Sequence, residues 1–340
     1  MRLRRTAAAF ASAVLALTAC APPAQQPPAQ QPPAPAQQAA QAAGLLKQTP
    51  EQMTRTWKSL RQLDDMPMYE MTYHGGYDAE APLLPEELAR DQDGWACSLF
   101  VRKTAGGLEY GRNFDWNPNP AMVVRADPPD GYASLSVVDV FYVLGDRDPA
   151  DLTLPSDRRR LAHAVLAPFD GMNEKGLAIG LASTPTVELP PAAGKPTVSD
   201  LRIIRLVLDR AATVDEAVEL MRRYTLDFGG GPQVHYLIAD RSGRSVVVEY
   251  AKDGLHVVED KILTNITMIG TQQADRLADR RYRTLAEGLP TGASGLELLK
   301  SVAQAHTRWS IVYDLERLTA DLVTIMRWER VHKLTLAGTP

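Results

Sequence analysis

The sequence predicts an α+β layered domain. Short runs rich in β-branched and aromatic residues come in pairs separated by turn residues, two helical stretches stand side by side among them, and strand and helix never alternate as in a βαβ protein. Met53, Trp57 and Leu60 at i, i+4, i+7 predict a helix within 50–63, and Pro67 to Tyr73 reads as a strand. Ser98 to Arg102 and Leu108 to Asn113 flank Gly106-Gly107, a hairpin signal. Ala133 to Leu144 reads as strand, Ser156 to Leu166 as helix and Leu177 to Ser183 as a buried strand. Ile203, Leu206, Val207 and Arg210 fall in helical rows within Ser199 to Ala212, and Thr213-Val214-Asp215-Glu216 has the form of a capping box opening a second helix to about Tyr224. Val234 to Ala239 and Ser245 to Tyr250, joined by Asp240-Arg241-Ser242-Gly243, make a second hairpin. Further strands are expected at His256 to Val258, Ile262 to Thr264, Ser310 to Tyr313, Leu322 to Met326 and Val331 to Leu336.

The chain of 340 residues carries 37 basic and 41 acidic side chains. An acidic chain without a basic stripe is a poor partner for phosphate backbones, so no nucleic acid is expected. The six histidines lack His-x-x-x-His or His-Glu-x-x-His spacing and the cysteines are only Cys20 and Cys97, so no metal site built on histidine or cysteine is expected, carboxylate sites being left open. No cofactor is expected.

The first 44 residues read as address and tether. Arg2, Arg4 and Arg5 precede an uncharged run, Thr6 to Leu17, too short for a membrane span but suited to a signal-peptide core. Leu17-Thr18-Ala19-Cys20 resembles a bacterial lipobox. Residues 1–19 are thus expected to be a lipoprotein signal peptide and Cys20 the lipidated residue, which would place the exported protein at the cell envelope. Residues 21–44, of Ala, Gln and Pro closed by Gly44, would form an extended tether reaching at most about 75 Å. That leaves Cys97 as the free thiol.

The chemistry converges there. Trp95-Ala96-Cys97-Ser98 begins one strand, and Gly111-Arg112-Asn113-Phe114-Asp115-Trp116 ends its hairpin partner, so antiparallel pairing returns Arg112 and Asp115 to the side of Cys97. With Asp170-Gly171-Met172-Asn173-Glu174-Lys175-Gly176-Leu177, the hairpin from His235 to Glu249, and Leu263-Thr264-Asn265, this ordered set resembles the choloylglycine hydrolase group of linear-amide hydrolases and the related acid ceramidase-like enzymes. The resemblance runs from about Cys97 to Leu336. It implies a four-layer αββα sandwich of the N-terminal-nucleophile type, whose nucleophile is freed by cutting Ala96–Cys97. The physical gain is a built-in base. A free thiol is only about 3% thiolate at pH 7, whereas an N-terminal cysteine adds an α-amine with pKa of about 7.7–8.0 beside its own sulfur.

By the same resemblance Arg112 favours the thiolate, Asp115 orients the α-amine, and Asn265 donates to the oxyanion. Arg281 stands near the nucleophile, with Arg280 leaving its register open, and Ser183 takes the place where some bile-salt hydrolases keep an asparagine. Trp116 is close enough to line an acyl pocket; Trp309 and Trp328 read as core. Asn173 and Gly176 read as turn formers, and Gly229-Gly230-Gly231 as a loop, since no Lys-Ser or Lys-Thr follows. Residues 45–96 look like part of a core and are expected to remain on 97–340, the catalytic domain, as a small subunit; a homo-oligomer is left open. The substrate expected is a small N-acyl amide, with N-acyl amino acids or lipids, acyl homoserine lactones, penicillins and bile-acid conjugates all compatible. Acyl transfer to a second amine, or a binding lipoprotein with an inert site, are the alternatives.

Overall fold

Runs paired by turn residues in the sequence assemble into two stacked sheets. The computed structural model describes residues 44–83, 96–145, 149–151, 155–189, 194–229 and 231–336. The predicted signal peptide, Cys20 and most of the tether lie outside them.

The larger sheet has nine strands. In chain order they are β2 (Arg61–Asp64), β3 (Met68–Tyr73), β7 (Ala121–Ala126), β8 (Ser134–Asp139), β9 (Asp170–Asn173), β10 (Ala178–Ser183), β13 (Val234–Ala239), β14 (Ser245–Ala251) and β15 (Gly254–Glu259), arranged in the order β15-β14-β13-β10-β9-β8-β7-β3-β2. The second sheet runs β16-β5-β6-β17-β18-β19, comprising β5 (Ala96–Thr104), β6 (Gly107–Asp115), β16 (Ile262–Leu263), β17 (Thr307–Asp314), β18 (Thr319–Thr324) and β19 (His332–Thr335). Two small pairs complete the strands: β1 (Leu46–Lys47) with β4 (Gly76–Tyr77), and β11 (Thr197–Ser199) with β12 (Thr225–Asp227).

The sheets face each other through β10, β13, β5 and β16. Gly180 marks their close approach: a Cβ there would stand 2.9 Å from the Tyr110 hydroxyl and 3.1 Å from Leu99. Helices α4 (Arg202–Arg210) and α5 (Val214–Met221) cover the nine-stranded sheet, while α7 (Arg280–Gly288) and α8 (Gly295–Val302) cover the other, giving four layers, αββα. Enclosure on both faces explains why β13 is buried along its whole length rather than alternating. Shorter helices are α1 (Pro50–Lys58), α2 (Phe141–Leu144), α3 (Pro155–Ala162) and α6 (Gln273–Arg276).

Several expected elements change. The helix expected over 50–63 ends at Lys58, where Ser59 caps it and its hydroxyl bonds Thr72, so that 61–64 pairs with β3 instead. The strand expected over 133–144 turns into α2 after Asp139, whose carboxylate accepts from the Phe141 N–H at 2.9 Å. Ser156–Leu166 is helix only to Ala162 and a 3-10 turn beyond it, and Ser199 belongs to β11 rather than α4. Only half of the Thr213 capping box forms: the Thr213 hydroxyl accepts from Glu216 N–H, but the Glu216 carboxylate reaches Ala212. Asp170–Asn173 is a strand whose last residue opens the expected turn: Asn173 Oδ1 accepts from Lys175 and Leu177 N–H, each at 3.1 Å, its Nδ2 donates to the carbonyls of Leu208 and Ala211 at the end of α4, and Gly176 sits at φ 75°.

The segment before Cys97 is woven into the larger sheet. β3 pairs in parallel with β7, with Met68 opposite Ala121 and Tyr73 opposite Ala126. Asp64 on β2 ties it to the end of the other sheet: its carboxylate accepts from Arg327 at 3.0 Å, Arg330 at 3.4 Å and His332 Nε2 at 2.6 Å. Burial alone would raise Asp64, but hydrogen bonding, to Asp65 and His332 above all, outweighs it and holds the carboxyl well below the usual range. A lowered folded-state pKa stabilises above the unfolded value, near 3.9, and that contribution is lost as pH falls through the folded value. Asp64→Asn, made in a Cys97→Ala background so that the chain stays continuous, should therefore lower stability by about 1–3 kcal/mol from pH 8 to 5. The deficit should shrink below about pH 4, as urea unfolding curves would show; a deficit unchanged at acid pH would refute this account.

Candidate active site

Cys97 is the second residue of β5 and opposes Phe114 on β6, while Leu99 opposes Arg112 and Ala96 opposes Asp115. This register follows from the tight turn between Thr104 and Gly107 and sets the Cys97 side chain toward the facing sheet, beside that of Arg112. The thiol has no exposed surface, and Arg112 Nη2 lies 3.6 Å from Sγ. Burial pushes the Cys97 thiol above its ordinary value, with Arg112 pulling in the opposite direction.

Arg112 is itself wholly buried and ion-paired to Asp170 on β9 of the opposite sheet. Burial opposes its charge, but Asp170 and Cys97 outweigh it, so its pKa stands above the ordinary value. Asp170 also accepts from Trp309 Nε1 at 3.2 Å and from the Tyr313 hydroxyl at 2.5 Å. The guanidinium lies 4.9 Å from the Phe114 ring centroid. Asp170 is the residue of this site that sequence reasoning missed: the segment it opens stood out, but only the facing sheet shows which cation it meets.

A second network holds the backbone at Cys97. Its N–H donates to Asn265 Oδ1 at 2.9 Å, and Arg281 Nη2 donates to the same oxygen at 2.7 Å. Arg281 Nη1 donates to the Cys97 carbonyl and, at 3.1 Å, to Ser98 Oγ. Asn265 Nδ2 lies 2.8 Å from both the carbonyl and the hydroxyl oxygen of Ser183. Turning the Asn265 amide over would set its NH₂ against two donors, so the network fixes its orientation. The structure thus brings Cys97, Arg112, Asn265, Arg281 and Ser183 together, and Arg281, rather than Arg280, is the arginine that reaches the site.

Two expected hydrogen bonds run elsewhere in the uncut chain. Asp115, expected to hold the Cys97 nitrogen, instead accepts from Thr307 and, at 2.8 Å, from Gln304; burial raises its pKa despite these donors. Asn265, expected as an oxyanion donor, here receives the Cys97 N–H on its oxygen and turns its nitrogen to Ser183. The Cys97 amide nitrogen carries a single hydrogen, and Asn265 Oδ1 takes it. Trp116 packs edge-on against Phe114 and Phe141, centroids 6.2 and 5.9 Å away, and tilted against Tyr142.

The turn bearing Asn265 is pinned from behind. His235 Nε2 lies 2.9 Å from the Thr264 carbonyl, and Glu249 Oε2 accepts from Met268 and Ile269 N–H at 2.9 and 2.8 Å. Both side chains are buried, and hydrogen bonding to His235 and to these amides overrides burial to keep Glu249 below its ordinary pKa. Among the described residues no cluster of His, Cys, Asp or Glu could hold a metal ion.

Residues 162–284, which contain Asp170, Ser183, Asn265 and Arg281, match the family model of linear amide C-N hydrolases, choloylglycine hydrolase family. Over that stretch the chain is similar to the choloylglycine hydrolase family. A penicillin V acylase from Pectobacterium atrosepticum is 35% identical over 111 residues, 28% of this chain and 29% of that protein's length. Among solved structures, a mutant of the conjugated bile acid hydrolase from Clostridium perfringens aligns with TM-score 0.53 and 17% identity, covering 72% of this chain and 95% of that one. A second variant of that hydrolase aligns at 0.52. The αββα layers of this chain thus share the fold of that bile acid hydrolase.

Proposed function

We propose that the protein hydrolyses linear amides of the N-acyl type through an acyl-enzyme on Cys97, after cleavage of Ala96–Cys97. One observation carries this reading: the buried thiol of Cys97, at the start of a strand, stands 3.6 Å from Arg112, and the nitrogen of the bond to be cut donates to Asn265 Oδ1, an oxygen that Arg281 also holds.

In maturation Sγ attacks the Ala96 carbonyl carbon, the C–N bond breaks, and the thiol proton ends on nitrogen, leaving a thioester and a free α-amine. Water then splits the thioester into the Ala96 carboxylate and the Cys97 thiol. In turnover the α-amine takes the thiol proton, Sγ attacks the amide carbonyl, and the amine returns the proton to the leaving nitrogen. Water releases the acid and regenerates the thiol. Arg112 steadies the thiolate. Asn265 Nδ2 donates to the oxyanion once the Ser183 hydroxyl rotates away, a contribution typically of about 2.7–4 kcal/mol. The parallel β3–β7 pairing and the Asp64 ties support retention of 45–96 as a small subunit.

Incubation with N-acyl amides of graded chain length should release equal amounts of carboxylic acid and amine. Acyl appearing only on an added amine would favour acyl transfer, and failure of a fully cleaved preparation to turn over any amide would refute the reading. We also propose export and lipid anchoring through Cys20. Cys20→Ser should move the protein from the membrane to the soluble fraction, and unchanged membrane association would exclude the anchor.

A further inference from the structure

β17 departs from regular pairing at one place. Thr307 opposes Asp115 and Trp309 opposes Phe114, so Arg308 is the extra residue of a bulge. Bulges re-aim the side chain they carry and recur beside active sites. Phe114 and Asp115 pair onward with Cys97 and Ala96, which puts the bulge two strands from the nucleophile, about 10 Å between backbones. Arg308 reaches toward the nine-stranded sheet, its Nη2 3.8 Å from Met66 Sδ and its charge felt by Asp139 at the end of β8.

That environment does not suit a guanidinium. Arg308 is 9% exposed, its Nε is buried without a partner, and its one side-chain hydrogen bond goes to a thioether, a weak acceptor. No carboxylate among the described residues lies at ion-pair distance from it. The Asp139 oxygens are engaged by Phe141 N–H and Asn119 Nδ2, and burial pushes that carboxyl up to about 7. Two other deeply buried arginines are ion-paired, Arg112 with Asp170 and Arg205 with Asp209, and a third, Arg202, donates to the Ala81 carbonyl. A cation left in this state is stabilised by an anion brought from outside, and a planar fork of donors suits a carboxylate.

Given amide hydrolysis at Cys97, on which this inference rests, we propose that Arg308 binds a carboxylate on the amine half of the substrate, so that the substrates are N-acyl amino acids rather than N-acyl amines. An α-carboxylate lies one carbon from the scissile nitrogen, a short fixed offset that one fixed arginine can serve.

The test compares N-decanoylglycine with N-decanoylethylamine, which differ in that carboxylate. The parent should favour the glycine conjugate at least about ten-fold in kcat/KM. Arg308→Gln should lower kcat/KM for the glycine conjugate about ten- to hundred-fold and for the ethylamide less than about three-fold, with Arg308→Lys between. Equal losses on both substrates, or a parent that prefers the ethylamide, would overturn the proposal. If cleaved parent turned over neither, the hydrolase reading would fail by itself. Thermal shift with N-decanoylglycine then decides the carboxylate site: stabilisation abolished by Arg308→Gln supports it, and stabilisation absent, or equal in parent and variant, overturns it.

Discussion

Cys97→Ala yields a single uncut chain, whereas the parent, expressed as residues 45–340, separates on denaturation into two fragments meeting at Ala96/Cys97. That is the largest effect expected, because one substitution would remove the atom proposed to attack in both maturation and turnover. Denaturing intact mass of the two proteins side by side reads it directly. Loss of activity should be complete within detection, and Cys97→Ala should keep its folding cooperativity, since the site loses one sulfur from an otherwise intact enclosure. An uncut parent would mean that the α-amine never forms unaided. Cleavage in Cys97→Ala would assign the cut to another agent.

Asp170→Asn should cost about 3–5 kcal/mol, the scale of leaving a buried charge unpaired. The amide that replaces the carboxylate would keep its shape and still meet Trp309 and Tyr313, so the loss isolates the counter-charge of Arg112. The double change Arg112→Met with Asp170→Leu should recover much of that stability, since an apolar pair of similar volume is often no worse than a buried ion pair. It should not recover activity. Guanidinium denaturation of the two variants, with the amide assay beside it, separates the two roles. If the double variant were as unstable as Asp170→Asn, the penalty would lie in packing and not in charge.

Local sequence carried the site as far as one hairpin reaches. The turn at Gly106-Gly107 sets the register, and register alone brings Arg112 beside Cys97. Asn265 and Arg281 came from ordered resemblance, and the structure brings both to the Cys97 backbone. What stayed hidden is long-range. Asp170 meets Arg112 only because two sheets stack, and no periodicity within either segment encodes that. The bulge at Arg308 is likewise a property of two strands together. Helices α7 and α8 were legible but unread: Asp279 caps the first, and Ser294 with Glu297 forms a complete capping box on the second. The helix expected past Lys58 came from the stripe of Met53, Trp57 and Leu60, whose last member lies beyond the helix end, just before strand β2.

The parallel pairing of β3 with β7 gives the molecule a history. An intact chain can fold by a unimolecular route, with β2 and β3 delivered to the sheet edge by their own tether. Cutting Ala96–Cys97 removes that tether, and restoring the same sheet becomes a bimolecular encounter whose yield falls with dilution. The cut protein would then persist through the slowness of its opening, with its lifetime set by an unfolding rate. Denatured and returned to buffer at low concentration, it would refold poorly, while the uncut Cys97→Ala chain would recover.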